Sequence, residues 1–366
     1  MANFVMSEQA EAAGNLMEGA FAGDKRDKAK FFEMLSTGDI SPTLLQAPLT
    51  ARVVSEYEGI KDTIGGAAVR ETVDDFTLQE IFRIAFDDDS QVLEKNVGKT
   101  RVTGTLPRVG ELGEYQSFGF SSTNDSHRAY KSGIKFGLSW ESVINGRNLS
   151  LLERATKQMA RMARNTELSE VFGQYVTASG MNTANLSAAG DITNLISGNP
   201  ALSMASLKTG LALAATHKVN GERYPISGAF TLVVSPSLEI AAREIIAVTE
   251  ITTQTGSGSG AVIAKSGNPL AGKLNLQVAP TLTRINASAD NYWFLVPDLS
   301  QTEGYRPELW TVRGEETPKF FVKSTTLQSP NEGDFDHDAY ETKLRATATG
   351  VNTGMLGVVG STGAGV

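Results

Sequence analysis

Apolar and polar positions alternate in several short runs of this chain and recur at three-to-four spacing in others, so both strands and helices are expected. Residues 97–106 read as a strand, Arg108 to Gly113 as a glycine-rich tip, and Tyr115 to Phe120 as the return from that tip. "YKSGIKFGLSWESV" (130–143) alternates again, with Ile134, Phe136, Leu138 and Trp140 on one face. "AYETKLRATATGV" sets Tyr340, Thr342, Leu344 and Ala346 against Glu341, Lys343 and Arg345, the pattern of a half-buried strand. "FTLQEIFRIAF" (76–86) fits neither period cleanly, which leaves strand and short helix both open.

Helical spacing dominates elsewhere. Residues 1–60 read as an arm of short helices, with Asp24 capping "KRDKAKFFEML" and Gly38 ending it. "ISPTLLQAPLT" then runs extended through two prolines. A long helix is expected over 150–179. Leu152, Ala155, Met159, Met162, Thr166, Val171 and Phe172 form its apolar face, and Arg154, Lys157, Arg161 and Arg164 form a basic stripe on a second face. At 1.5 Å per residue such a helix reaches roughly 45 Å, the length of a strut.

Residues 185–325 read as an α/β block. "SMASLKTGLALAATHK" is an amphipathic helix, and "GAFTLVVS" is a strand that runs into a helix with Ser235 at its cap and Pro236 at its first position. "NLQVAPTL" and "NYWFLVPD" are further strands, "GSGSG" is a loop, and the tail "GVVGSTGAGV" is too glycine-rich to fold alone.

The stretch "GTLPRVGELGEYQSFGFSS" (104–122) poses the main physical problem. It carries Leu106, Leu112, Tyr115, Phe118 and Phe120 among polar residues and four glycines. Two strands with so little apolar surface are marginal in water. Something must cover them.

Charge sharpens the picture. The net charge is −8, with a balance of −9 over residues 1–96 and +4 over residues 97–180. An acidic opening third and a basic block attract each other, within or between chains, unless both are simply solvated faces. No cysteine is present and the three histidines are far apart in sequence, which disfavours thiolate, zinc and histidine-based catalytic centres. The start "MANFVMSEQAEAA" lacks the basic and apolar regions of a secretory signal, and no apolar run approaches the ~20 residues that span a bilayer. A cytosolic product without a membrane partner is expected.

Candidate chemistry is thin. "GNPLAGKL" (267–274) has phosphate-loop spacing, but Leu274 stands where a hydroxyl must hold Mg²⁺, and a proline removes one backbone N–H. "VGKT" (97–100) has the hydroxyl, but Leu93 occupies the first glycine position. The acidic groups "DFDHDAYE" and "FDDDS" lack the ligand order of an EF-hand and read as solvated turns. The basic stripe lacks the interleaved aromatics of a nucleic-acid surface. No catalytic residue, metal site or cofactor is expected.

The order of these segments resembles the major capsid proteins of tailed bacteriophages, the Hong Kong 97-type fold. "GELGEYQSFGFSS" looks like the extended loop, and "KFGLSWESVINGRNLSLLERATKQMARMARNTELSEVFG" like the strand and spine helix of the peripheral domain. "FTLVVSPSLEIAAREII" is similar to the axial-domain strand and helix, and "FDHDAYETKLRATATG" to the strand that returns to the periphery. The resemblance spans about residues 50–355. It implies an α+β fold with an arm (1–75), an extended loop (97–129), a peripheral domain (76–96, 130–184 and 326–366) with spine helix 150–179, and an axial domain (185–325).

The resemblance also implies a function: self-assembly into pentamers and hexamers of an icosahedral shell around double-stranded DNA, without sequence-specific binding. The extended loop of such proteins lies over an adjacent subunit, so its apolar face is covered in trans. Residues expected at subunit interfaces are Arg108, Glu111, Leu112, Glu114, Tyr115, Phe118, Phe120, Arg154, Lys157, Arg161 and Arg164. A separate scaffold protein, a portal and decoration proteins are the expected partners, with the virion as location and the host cytoplasm during assembly. Some relatives weld subunits through a loop lysine. None occurs here between Val102 and Tyr130, so no such bond is expected. An uncleaved chain is expected as well. The rival readings are an encapsulin-like nanocompartment shell, which shares the fold, and a degenerate P-loop NTPase centred on Lys273.

Overall fold

The computed structural model describes residues 8–21, 24–37, 42–60, 63–86, 120–139, 149–219, 222–224, 226–248, 250–255, 262–323 and 339–365. The fold is α+β. Its first part is helical: α1 (Glu8–Phe21), α2 (Lys25–Thr37) and α3 (Pro42–Gly59). Asp24 caps α2 as its sequence suggests, its Oδ1 accepting the Arg26 N–H at 2.8 Å.

The segment expected to run extended through its prolines is instead the start of α3. Pro42 opens that helix, the one place where a missing N–H costs nothing. Pro48 lies inside it and is buried against Gly14 of α1, where a Cβ would stand 3.2 Å from the proline ring. Glycine on one helix thus makes room for proline on the other.

After α3 come β1 (Val69–Val73), β2 (Gln79–Phe86), β3 (Phe120–His127) and β4 (Lys131–Ser139), so the ambiguous segment 76–86 resolves as a strand. The spine helix follows as α4 (Leu149–Phe172), 24 residues and about 36 Å long. It stops earlier than its sequence suggests. Gly173 breaks the pattern, and the side-chain amides of Asn182 and Asn185 donate to the Gly173 and Gln174 carbonyls that the helix leaves open. The chain then turns through the short pair β5 (Val176–Thr177) and β6 (Gly180–Met181).

The face of α4 also differs from expectation. Met159, Val171 and Phe172 are buried, but Met162 is exposed, while Ala160, Ala163, Arg164 and Glu167 point inward. Small residues let the arm helices approach closely, and a polar pair replaces the apolar stripe.

The axial block contains α5 (Met204–Ala214), the small pair β7 (Lys218–Val219) and β8 (Glu222–Arg223), β9 (Phe230–Val234) and α6 (Glu239–Ala247). The hairpin β10 (Glu250–Thr255) and β11 (Val262–Gly267) follows, then β12 (Leu274–Val278), α7 (Thr281–Ile285) and β13 (Trp293–Pro297). Ser203 caps α5 through a reciprocal pair of bonds with Ser206. Ser235 stands at the expected cap position, but its hydroxyl reaches the Asp290 carbonyl instead of an amide of the following helix.

The remaining strands are β14 (Pro307–Val312), β15 (Lys319–Val322), β16 (Ala339–Thr347), β17 (Thr349–Asn352) and β18 (Val359–Ser361). Three sheets build the body. The axial sheet runs β12-β9-β13-β18, the peripheral sheet β15-β16-β4, and a bridging sheet β1-β14-β17. The glycine-rich tail, which cannot fold alone, therefore becomes an inner element: β18 pairs with β13, and Gly360 lies flat against the Phe294 ring. This moves residues 359–361 from the expected peripheral domain into the axial sheet. Residues 64–73, expected as arm, likewise join the body through β1 and its parallel pairing with β14.

Three cores follow from this layout. One packs α1, α2, α3 and α4 onto the inner face of the peripheral sheet through Phe31, Leu49, Val53, Phe320 and Leu344. Another covers one face of the axial sheet with Leu207, Leu232, Trp293 and Leu295. The third, with Phe172, Tyr175, Val233, Phe294 and Leu309, joins the end of the spine to the other face. Covered on both sides, β13 reads as an unbroken apolar run and β9 as one interrupted only by Thr231.

Candidate assembly surface

Strands β2 and β3 pair antiparallel from Gln79–His127 to Phe86–Phe120 and, among the described residues, join no other sheet. They form a two-stranded ribbon, and its stem is longer than the sequence suggests. Ser121 to His127 carries no apolar alternation, so nothing in the pattern marks it as a strand. Arg108, Glu111, Leu112, Glu114, Tyr115 and Phe118, together with the strand expected at 97–106, lie outside the described residues. Phe120 opens β3 at the far end of the described stem.

At the base of the ribbon, Asp75 organises a tight turn. Its Oδ1 accepts the Thr77 N–H at 2.9 Å and bonds from the Thr77 hydroxyl and Gln79 amide. The Thr77 bonds hold the Asp75 carboxyl below its ordinary range. On this fixed turn Phe76 is 43% and Leu78 59% exposed, and Asp74 pairs with Arg313 at 2.8 Å. Tyr130 and Ile134 are exposed nearby in sequence, at the start of β4. Sequence reading missed Phe76 and Leu78. The signal was available: two large apolar residues directly after Asp74 and Asp75, with no periodic partner.

The basic stripe on α4 divides. Arg154 and Arg161 are exposed and open to a second chain. Lys157 stands 3.9 Å from Glu56 of the chain's own α3. Arg164 is a correction to the expected interface set, because it is consumed inside the subunit. Its Nη1 donates to Glu167 Oε2 at 2.9 Å, and its guanidinium lies 4.1 Å from the centre of the Tyr57 ring. Tyr57 donates its hydroxyl to the other Glu167 oxygen, and Arg70 reaches Glu167 at 3.3 Å. Burial, reinforced by the Glu167 charge, pushes the Tyr57 hydroxyl pKa far up. This lock ties arm, spine and β1 together, so part of the arm–spine attraction expected from charge is satisfied within one chain.

Other polar side chains also serve structure. Arg306 donates to Glu308 at 3.0 Å and to Glu71 at 2.7 Å, while Trp310 donates to Glu308, which binds β1 to β14. Buried His217 accepts the Gly357 N–H at Nδ1 and donates from Nε2 to the Thr193 carbonyl, both at 2.8 Å. That geometry requires the neutral ring, and burial pulls its pKa down.

The phosphate-loop imitation "GNPLAGKL" is a turn between β11 and β12, with no helix after it. Its amides are bonded internally: Leu270 N–H to Asn268 Oδ1, Ala271 N–H to the Asn268 carbonyl, Lys273 N–H to the Leu270 carbonyl. Such a loop offers no cradle for phosphate. Among the described residues no group of acidic, histidine or cysteine side chains is placed to hold a metal, and no helix is long and apolar enough to cross a membrane. "VGKT", "FDDDS" and "DFDHD" lie outside the described residues.

Comparison with known proteins adds three findings. No curated protein matches the chain. Solved structures resemble it at low identity: a virus-like particle from Pyrococcus furiosus (9% identity, 86% of this chain and 97% of that one, TM-score 0.45) and the capsid of Myoviridae phage XM1 (11%, 82% and 91%, 0.45). An encapsulin complex from Synechococcus elongatus stands equally near (6%, 81% and 85%, 0.45). A family model of phage capsid proteins matches residues 124–356, from the ribbon stem through the spine and axial block to the loop before β18. The chain belongs to the phage capsid protein family.

Proposed function

We propose that this chain is the major capsid (head) protein of a tailed phage, closing as homo-pentamers and homo-hexamers into an icosahedral shell of Hong Kong 97 type around double-stranded DNA. Its work is mechanical enclosure in the virion, with no catalytic turnover, after assembly in the host cytoplasm. One observation carries this reading beyond family membership: among the described residues, no further strand pairs with the two-stranded ribbon. Such a ribbon is marginal alone and gains its burial on a neighbouring copy. Interfaces of standard size bury ~1,600 Å², and repeating modest contacts by symmetry makes a strong container from reversible steps. A separate scaffold protein and a portal are the partners this reading expects, and decoration proteins are further partners compatible with it.

The test is expression of the chain alone and with a scaffold, followed by electron microscopy and sizing. Closed shells support the reading; subunits that stay monomeric in both conditions sink it. Phe118→Asp should leave a folded subunit that forms no shells, and normal shells from that variant would remove the ribbon from the interface. The exposed Arg154 and Arg161 belong to the same proposal as contacts with a neighbouring copy.

A further inference from the structure

The outer face of the peripheral sheet is the most unusual surface of this acidic chain. Alternation in β15 and β16 sends Phe320, Val322, Leu344 and Ala346 into the core. It leaves Phe321, Lys343 and Arg345 on the far side, and register places Lys343 between Phe321 on β15 and Lys135 on β4. Lys343 Nζ and the Arg345 guanidinium lie 5.2 and 4.8 Å from the centre of the Phe321 ring. Glu341 is shared by Lys135 and Lys323, and Glu315 pairs with Arg345, which leaves Lys343 as the cation over the Phe321 ring. Between these side chains lies an open groove of about 410 Å³. On its β4 side Gly137 raises no wall, since nothing stands within 4 Å of where its Cβ would be. The groove is cationic at its rim and aromatic at its floor.

The base of the ribbon is the opposite surface: Asp74 and Asp75 beside exposed Phe76 and Leu78, held outward by the Asp75 turn. A side chain fixed before contact loses little freedom on docking. Apolar burial and opposite charge match between the two patches, and one chain carries both. Two different complementary patches on one chain generate head-to-tail contacts, which close into rings when the rotation allows.

We propose that the Asp74–Leu78 turn of one copy seats in the Lys135–Phe321–Lys343 groove of a second copy. This rests on the shell reading above and adds to it a contact that needs no residue of the ribbon tip. Phe76 meets the Phe321 floor, and Asp74, whose pair with Arg313 is solvent-exposed and exchangeable, faces the lysine rim together with Asp75.

The experiment uses the full chain under conditions where the unmodified protein forms particles, with the assembly threshold read by light scattering and sizing. If the unmodified protein forms none, the shell reading fails before this one is reached. Phe76→Ser removes an aromatic anchor and should raise the threshold about tenfold or more. Lys343→Glu and Asp74→Lys should each raise it similarly, and the two together in one chain should return it to within about threefold of the original. All three positions lie on the surface, so circular dichroism and melting of the subunit should not change. Single variants that assemble normally overturn the proposal, as does a double variant no better than either single. Normal thresholds with loss of DNA retention by Lys343→Glu also overturn it, because the groove then serves nucleic acid.

Discussion

Replacing Glu167 by Gln should loosen the arm from the spine by about 3–5 kcal/mol, the usual cost of stranding a buried charge. The side chains of Glu167 and Arg164 are 4% and 7% exposed, so neither regains water when its partner is lost. Glutamine keeps the volume of Glu167 and one acceptor for Tyr57. It removes the carboxylate charge that Arg164 meets at 2.9 Å, while the guanidinium stays over the Tyr57 ring. Arg70 cannot compensate, since it is a second cation. The comparison is internal: Lys157 and Glu56, 40% and 38% exposed and 3.9 Å apart, join the same two helices. Glu56→Gln should cost at most about 1 kcal/mol, because water screens that pair. Hydrogen exchange of α3 amides in the unassembled subunit reads the difference. Since 1.4 kcal/mol is tenfold, Glu167→Gln should speed exchange by about two to three and a half decades and Glu56→Gln by less than one. Adding Arg164→Met to Glu167→Gln should recover most of the loss, because the stranded charge leaves with it. If Glu167→Gln behaves like Glu56→Gln, or the double variant is no better than the single, the lock does not hold the arm.

Two further predictions concern the tail and the spine. His217 is neutral in the fold with its pKa pulled down by burial, so below its ordinary 6.5 the unfolded chain binds a proton that the folded one refuses. The stability that His217 contributes is complete above pH 6.5 and is lost as pH falls through the lowered folded value; chemical denaturation between pH 7 and 5 should show a decline that His217→Asn flattens. Gly350 of β17 donates its N–H to Glu170 Oε2 at 3.0 Å, and a Cβ there would collide with the Glu170 carbonyl oxygen. Gly350→Ala should therefore cost about 1–3 kcal/mol, as overpacking does, and a melt equal to the parent's would show that β17 moves freely off the helix.

How much of this was legible in the sequence depends on where each element finds its partner. Strands β9, β13 and β16 were readable because their apolar residues are satisfied by continuous cores of the same chain. The cap at Asp24 acts locally, so a few residues suffice to specify it; the cap at Ser203 acts locally too, but sequence reading did not name it. The misreadings lie where distant residues decide. Pro48 looked like a breaker because Gly14, which receives its ring, is 34 positions away. The end of α4 is set by Asn182 and Asn185, beyond the window of any helical period. Arg164 looked like surface because nothing local announces that Tyr57 and Glu167 enclose it. β18 is apolar enough to be buried yet too glycine-rich to look ordered, and it is ordered by β13 on one edge and by a bridge to the 194–196 segment on the other.

The same reasoning explains why an assembly protein shows so little of its site. A catalytic centre must be complete within the fold, and its convergent polar groups can be recognised even in one chain. A shell subunit has no such obligation. Its patches are finished by another copy, so each one taken alone looks like a defect: a ribbon with no third strand among the described residues, an exposed Phe76 on a rigid turn, a cationic groove on an acidic chain. These features carry real cost in an isolated subunit, since exposed apolar groups and repelling lysines are unfavourable in water. They are tolerable only if the functional state is not the isolated one. Glu167 and Arg164 mark the contrast, because that pair is closed within the subunit and should stay closed whether or not a shell forms. The groove and the turn should instead lose exposure only in particles, where hydrogen exchange and side-chain labelling of the same chain can be compared before and after assembly.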